Sequence, residues 1–222
     1  GIKILSHNYK SLEKNKTLEN KILQAQLQIK EQELKFLKMQ IHPHFLFNSL
    51  NTIYGFALTK KEEAPEMILK LSNLLDYILY QVEKPTVNLQ DEVNHLEDYI
   101  SLEKMRFHDT LEVRFNKNIS EDTIQVAPML LIPFLENSFK HGKIIEGKLK
   151  VKLLLELINN ELIFEIENTT DKAETKNSGI GIENIQKRLE MLYPNAYSLQ
   201  IKNQENQFNV KLKIKIDALK SE

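Results

Sequence analysis

"MQIHPHFLFNSLNTI" occupies residues 39–53. Around it the apolar residues recur at helical spacing: Leu34, Leu37, Ile41, Phe45, Leu46, Leu50 and Ile53. Within that pattern stand two histidines on either side of Pro43, followed by two phenylalanines and an asparagine. A proline inside a helix removes a donor and crowds the carbonyl four residues back, at a cost of ~3 kcal/mol. Packing alone gains nothing from such a residue. The stretch therefore reads as a helix that carries a function, with a bend expected between Met39 and Pro43.

Outward from this stretch the sequence is helical on both sides. Residues 1–60 are poor in Gly and Pro and rich in Leu, Gln, Glu and Lys, with Leu27, Leu34 and Ile41 seven apart. That is a coiled-coil-like seam whose phase breaks in "EKNKTLEN" (13–20). So narrow a stripe fits pairing with a second chain; a solvated helix packed on its own domain is the alternative. A second helix is expected over 63–82, lined by Met67, Leu71, Leu74, Leu75, Ile78 and Leu79, and the short connection between the two predicts an antiparallel hairpin. "EKPTVN" (83–88) reads as a linker, and a third helix follows over 89–107, with Val93, Leu96, Ile100 and Leu102 apolar.

Beyond it the period changes to two. Strands are expected at 111–117, 150–158, 162–168 and 209–217, with Asn159-Asn160 as a hairpin turn. Lysines opposite the apolar face of the last strand predict a sheet with one wet face. Helices at about 128–141 and 181–192 interrupt the strands, with Pro128 suited to a first helical position. The fold class is α+β, a helical region followed by an α/β sandwich.

The whole chain sets broad limits. Its 222 residues are 41% hydrophobic and 27% charged, enough for one or two domains with a real core. The net charge of −1 gives no basic field for direct nucleic-acid binding. The absence of cysteine rules out disulfides and zinc–thiolate sites. No apolar run of ~18 residues spans a membrane, and no signal peptide is read. The chain opens at Gly1 within a helix-like stretch, as a segment of a longer protein would.

Two further constellations carry chemistry. In "APMLLIPFLENSFKHG" (127–142), Glu136 and Lys140 share one helical face, Asn137 and His141 the neighbouring one, and Gly142 ends the helix. In "NTTDKAETKNSGIGIENIQKRLEMLY" (168–193), a polar loop precedes Gly179-Ile180-Gly181, and glycines before a helix let its free N–H groups approach an anion.

Taken together, "IHPHFLFNSLNTI", "PFLENSFKHG" and "GIGIENIQKRLEMLY" resemble the LytS/YehU-type sensor histidine kinases over about residues 34–222. "LQDEVNHLEDYISLEKMRF" is similar to the connecting helix of that family. The resemblance implies a dimeric four-helix phosphotransfer bundle followed by a Bergerat-type ATP-binding sandwich. The implied domains are a signalling coiled coil (1–33), a dimerisation and phosphotransfer hairpin (34–87) and a catalytic domain (88–222).

Carried over by residue, His44 rather than His42 is the phosphoacceptor. Glu136 is catalytic and Asn137 holds Mg²⁺ between the ATP phosphates. Lys140, His141 and Gly142 complete that motif, and Gly179 and Gly181 form the phosphate-binding turn. Asn168 replaces the aspartate that reads the adenine amine, which leaves an acceptor without a charge. Asn48, one turn after His44, has two open readings: a dephosphorylation residue, or a polar group that satisfies the backbone near Pro43. The implied cofactors are ATP and Mg²⁺. The implied partners are a second copy of the chain and a response regulator of the LytTR DNA-binding type. The implied location is the cytoplasmic part of an inner-membrane sensor, with membrane contact only through an N-terminal sensor region. Two rivals remain: a non-catalytic dimeric scaffold, motivated by Asn168, and an ATP-driven clamp.

Overall fold

The computed structural model describes residues 13–29, 43–59, 62–82, 84–119, 124–171, 180–204 and 206–216. These fall into two compact units, Gly1–Asn48 and Ser49–Glu222.

Helix α1 covers residues 13–29 and exposes its apolar residues Leu18, Ile22, Leu23 and Leu27 to solvent. The earlier run at 1–12 and the bend expected between Met39 and Pro43 lie outside the described residues. Helix α2 (Pro43–Leu58) is followed by α3 (Glu63–Asp76), the second helix of a helical hairpin. Met67, Leu71 and Leu74 form the buried stripe of α3, at the spacing read from the sequence. Its end widens into a π-helical turn, Tyr77–Gln81. Such turns are uncommon and are frequent at functional sites.

Helix α4 (Leu89–Phe107) packs along α3. Lys70 and Asn73 both donate to the Asp98 carboxylate at 3.3 Å across this contact. The segment expected as a linker ends instead in strand β1 (Val87–Asn88), paired antiparallel with β3 (Gln125–Val126). Val87 is buried there, so the entry into α4 is anchored rather than loose.

The main sheet has five strands in the order β2–β4–β5–β7–β6. They are β2 (Leu111–Asn118), β4 (Leu149–Ile158), β5 (Glu161–Thr169), β6 (Tyr197–Gln204) and β7 (Gln207–Lys215). Only β2–β4 is parallel. The β4–β5 hairpin turns at Asn159 and Asn160, both at positive φ (49° and 65°), as the asparagine pair predicts. Strand β6, which the sequence reading left out, sits at the sheet edge, with only Tyr197, Leu199 and Ile201 carrying its apolar alternation.

Alternation gives the sheet two different faces. Val151, Leu153 and Leu155, Leu162, Phe164 and Ile166, and Val210, Leu212 and Ile214 are buried on one of them. Helices α4, α5 (Ile132–His141) and α6 (Ile180–Leu192) pack against β2, β5 and β6. The opposite face carries cross-strand pairs: Lys152–Glu167 at 2.9 Å, Lys211–Glu165 at 2.5 Å and Lys213–Glu161 at 3.3 Å. Exposed pairs are worth at most about 1 kcal/mol each. They keep that face wet, and burial of the other holds the sheet.

Helix α5 does not start at Pro128. It begins at Ile132, with Pro133 in its first turn. Residues 128–131 form a turn in which Met129 has φ 53°, and the N–H groups of Met129, Leu130 and Leu131 are taken by a side chain of α4 described below.

Candidate active site

The periodicity of α5 decides which of its side chains are available. Phe134, Leu135, Ser138 and Phe139 face the core, where the Phe134 and Phe164 rings lie 5.9 Å apart. That leaves Glu136 and Asn137 half-buried on the flank, and Lys140 and His141 exposed in the last turn. Partial burial, then the charges of Lys140 and Lys143, push the His141 pKa below the usual histidine value.

Gly142 closes the helix by donating its N–H to the Ser138 carbonyl at 3.0 Å. A Cβ here would run into that carbonyl oxygen and lie 2.5 Å from Leu149 Cδ1. With φ −63° and ψ 150° the backbone suits any residue, so glycine is required by close approach and not by conformation.

The chain leaving α5 is tied to the end of β5. Lys143 N–H donates to the Thr169 carbonyl at 2.9 Å, and the Thr169 hydroxyl donates to the Lys143 carbonyl at 2.8 Å. The Lys150 N–H reaches the same hydroxyl at 3.1 Å. This cross-tie brings Gly142 and Asn168 to one corner of the sheet.

Asn168 sits on the apolar face of β5 and is 2% exposed. Its Nδ2 donates to the Thr169 carbonyl at 3.1 Å, which fixes the amide so that Oδ1 is the remaining group. That oxygen is buried and has no hydrogen-bond partner among the described residues. A buried acceptor left unmade costs about 1–3 kcal/mol, so such a group calls for a donor from outside.

Beside Glu136 lies a second carboxyl that the sequence reading did not single out. Glu103 of α4 is 1% exposed, with Arg106 Nη2 2.5 Å from its Oε2. Burial raises its pKa to about 7, against the pull of Arg106 and with a further push from Glu136. Tyr99, one turn earlier, lies 5.8 Å ring to ring from Phe139 and locks α4 to α5.

Gly181 is the second residue of α6, which packs on α5, while Gly179 and the polar loop 172–179 lie outside the described residues. His44 is the second residue of α2, and Asn48 stands half-buried one turn on. No cluster of three or more His, Cys, Asp or Glu able to hold a metal occurs among the described residues. An ion at the Asn137 carboxamide would therefore take its other oxygens from phosphates and water, a habit of Mg²⁺.

Residues 32–111 match the histidine kinase family. The chain is 30% identical over 178 residues to the sensor histidine kinase BtsS of Escherichia coli K12, a match covering 77% of this chain and 31% of that protein. By both matches the chain is similar to the sensor histidine kinases. The sensor protein kinase HptS of Staphylococcus aureus USA300 is 29% identical over 159 residues, covering 72% of the chain and 30% of HptS. The chain thus spans about a third of the length of the curated relatives it matches. Its fold is that of the histidine kinase domain of the Erythrobacter litoralis blue-light activated kinase, at TM-score 0.50 and 14% identity, over 76% of this chain and 94% of that one. Among the described residues no helix is long and apolar enough to cross a membrane.

Proposed function

We propose that this chain is the kinase part of a two-component sensor: it binds ATP with Mg²⁺, phosphorylates itself on His44 and passes the phosphoryl group to an aspartate of a response regulator. The observation that carries the nucleotide reading is the buried, unpartnered Oδ1 of Asn168. An adenine amine supplies the donor that this oxygen lacks, and the amide needs no charge to accept it. The same observation weighs against a scaffold that binds no nucleotide, since a scaffold has no use for an orphaned acceptor in an apolar face.

In this reading a nitrogen of the His44 ring bonds to the γ-phosphorus of ATP as the bond to the ADP oxygen breaks. The ring proton passes to a base, for which Glu136 is the carboxylate adjoining Asn137. Bound Mg²⁺ supplies positive charge against the phosphate oxygens, as phosphoryl transfer requires. Asn137 offers that ion its carboxamide oxygen. Lys140, His141 and Gly142 line the phosphate end with an ammonium, an imidazole and a closed turn. Gly179 and Gly181 leave the α6 N–H groups open to the phosphates.

The working unit is a parallel homodimer with the domain limits 1–33, 34–87 and 88–222. Its support is the apolar surface left exposed: Leu50, Tyr54 and Leu58 on α2, and Ile68, Leu69, Leu79 and Tyr80 along α3 and its continuation. The regulator is of the LytTR type, and the chain is the cytoplasmic part of a membrane sensor. The test is autophosphorylation with γ-labelled ATP, wild type beside His44→Gln. Acid-labile, base-stable label on wild type alone is the expected result. Label on both chains equally, or on neither, would sink the assignment.

A further inference from the structure

The turn that opens α5 is held by a buried ionic cluster with no place in the mechanism above. Glu92 of α4 is 1% exposed. Its Oε1 accepts the Met129 N–H at 2.6 Å and the Tyr77 hydroxyl. Its Oε2 accepts the Leu130 N–H at 3.0 Å and the Leu131 N–H at 3.3 Å. From the other side Arg188 of α6 donates to the Met129 carbonyl at 2.7 Å and to the Pro128 carbonyl. Tyr193, just past α6, accepts the Ala127 N–H on its hydroxyl at 3.0 Å. The peptide groups of 128–131 are thus clamped between a carboxylate and a guanidinium, each lying in the field of the other's charge.

Besides α4, which carries Glu92, three helices meet in this knot. Asn137 lies six residues after Leu131 on α5, and Gly181 lies two turns before Arg188 on α6. Helices are stiff, so the clamp fixes the two nucleotide-facing helix ends relative to one another. The third member is the hairpin. Tyr77 opens the π-helical turn at the end of α3, and its ring stacks on His95 at 4.4 Å and 27°.

We propose that Glu92 and Arg188 are positioning residues for the nucleotide site, and that the Tyr77 hydroxyl is the point at which α3 sets their geometry. This rests on the nucleotide-binding reading above. Movement of α3 that withdraws the hydroxyl leaves Glu92 short of one donor in a buried place. The carboxylate then draws harder on the Met129 N–H it shares, and α5 shifts against α6.

The test is Mg-ADP binding by calorimetry to the full chain, for wild type, Tyr77→Phe and Glu92→Gln, with each melting temperature measured on the same sample. Tyr77→Phe keeps the ring stack and removes only the hydroxyl. The expected result is a Kd raised three- to tenfold by Tyr77→Phe at a temperature where far-UV dichroism shows the chain fully folded. Where Glu92→Gln folds, it should raise Kd by more than tenfold. A purely structural role lowers the melting temperature and leaves Kd in the folded sample unchanged. Tyr77→Phe binding within twofold of wild type overturns the inference, whatever becomes of Glu92→Gln. Failure of wild type itself to bind Mg-ADP would instead remove the nucleotide reading, and the inference with it.

Discussion

Glu103→Gln should change how the stability of this chain depends on pH, and in a direction fixed by burial. The Glu103 carboxyl titrates at about 7 in the folded chain against 4.5 for an ordinary glutamate. Between those values the folded chain holds a proton that the unfolded chain has released. Stability then falls as pH rises, by about 1.4 kcal/mol per pH unit or roughly 3 kcal/mol across the window. His95 runs the other way. Burial lowers its pKa from 6.5 to about 4, so the folded ring stays neutral where the unfolded one is charged. Its contribution is absent at low pH and grows by a similar amount as pH rises through that range.

In wild type the two nearly cancel between about pH 4.5 and 6.5, and the Glu103 loss alone continues toward pH 7. Glu103→Gln removes one limb and unmasks the other. Urea unfolding at half-unit steps from pH 4.5 to 7.5 should give a variant whose stability climbs through the lower part of the range. The variant-minus-wild-type difference should rise by about 3 kcal/mol from the bottom of the range to pH 7. A difference that stays constant with pH would refute the reasoning, because it would mean that Glu103 carries the same proton in both states.

Asn137→Ala should lose Mg-dependent labelling of His44 by at least a hundredfold while the melting temperature stays within a few degrees, since the side chain lies off the buried stripe of α5; labelling at the wild-type rate would count against its role. Gly142→Ala sets two effects against each other: alanine lowers unfolded-chain entropy, worth about 0.4–1 kcal/mol, but its Cβ meets the Ser138 carbonyl and Leu149. Overpacking of that kind costs about 1–3 kcal/mol, so thermal unfolding should shift down, and an unchanged or raised midpoint would show that the loop yields. Asn48→Ala should keep His44 labelling and slow dephosphorylation of the regulator, whereas equal loss of both with a lower melting temperature leaves only a structural role. Removing residues 1–33 should weaken dimerisation in light scattering without abolishing it, and a monomer at micromolar concentration for the intact chain would refute the dimer.

How much of this was legible in the sequence depends on which force sets each feature. Helices α3 and α4 and strands β4, β5 and β7 follow from period alone, because each buries one stripe, and β2 follows from the alternation of Leu111, Val113 and Phe115, of which only Leu111 is fully buried. Edge strand β6 escaped notice because only three apolar residues mark it before a polar end. The start of α5 was misplaced for reasons beyond the local signal: Pro128 is a sound first helical residue, yet Met129 takes φ 53°, Pro133 has no N–H for the Met129 carbonyl, and Arg188 of α6 takes the Pro128 and Met129 carbonyls that a helix begun there would use. Asn137 and the glycines could be picked out as unusual in their settings. Asn168 could be given a role only through family resemblance, since its position opposite the α5 exit depends on the Thr169–Lys143 tie.

Glu92 and Glu103 mark the border between what sequence carries and what it does not. Among the buried residues of α4, Leu89, Glu92, Val93, Leu96, Tyr99, Ile100 and Glu103 follow one another in steps of three and one, so both carboxylates lie in the apolar stripe. A glutamate placed there is a signal in itself, because burial of a carboxyl is costly unless something answers it. The answer differs in the two cases, and only the fold determines it. Glu92 meets four donors and a nearby guanidinium, and becomes part of the frame that holds two helices. Glu103 meets one arginine and the field of another carboxyl, and is left with a raised pKa beside Glu136. Two identical residues, eleven positions apart on one face of one helix, thus take up different roles. Burial raises the carboxyl pKa of both, but at Glu92 four donors and a guanidinium oppose it and make the residue an anchor, whereas Glu103 is a proton holder at neutral pH next to the residue proposed to receive a proton.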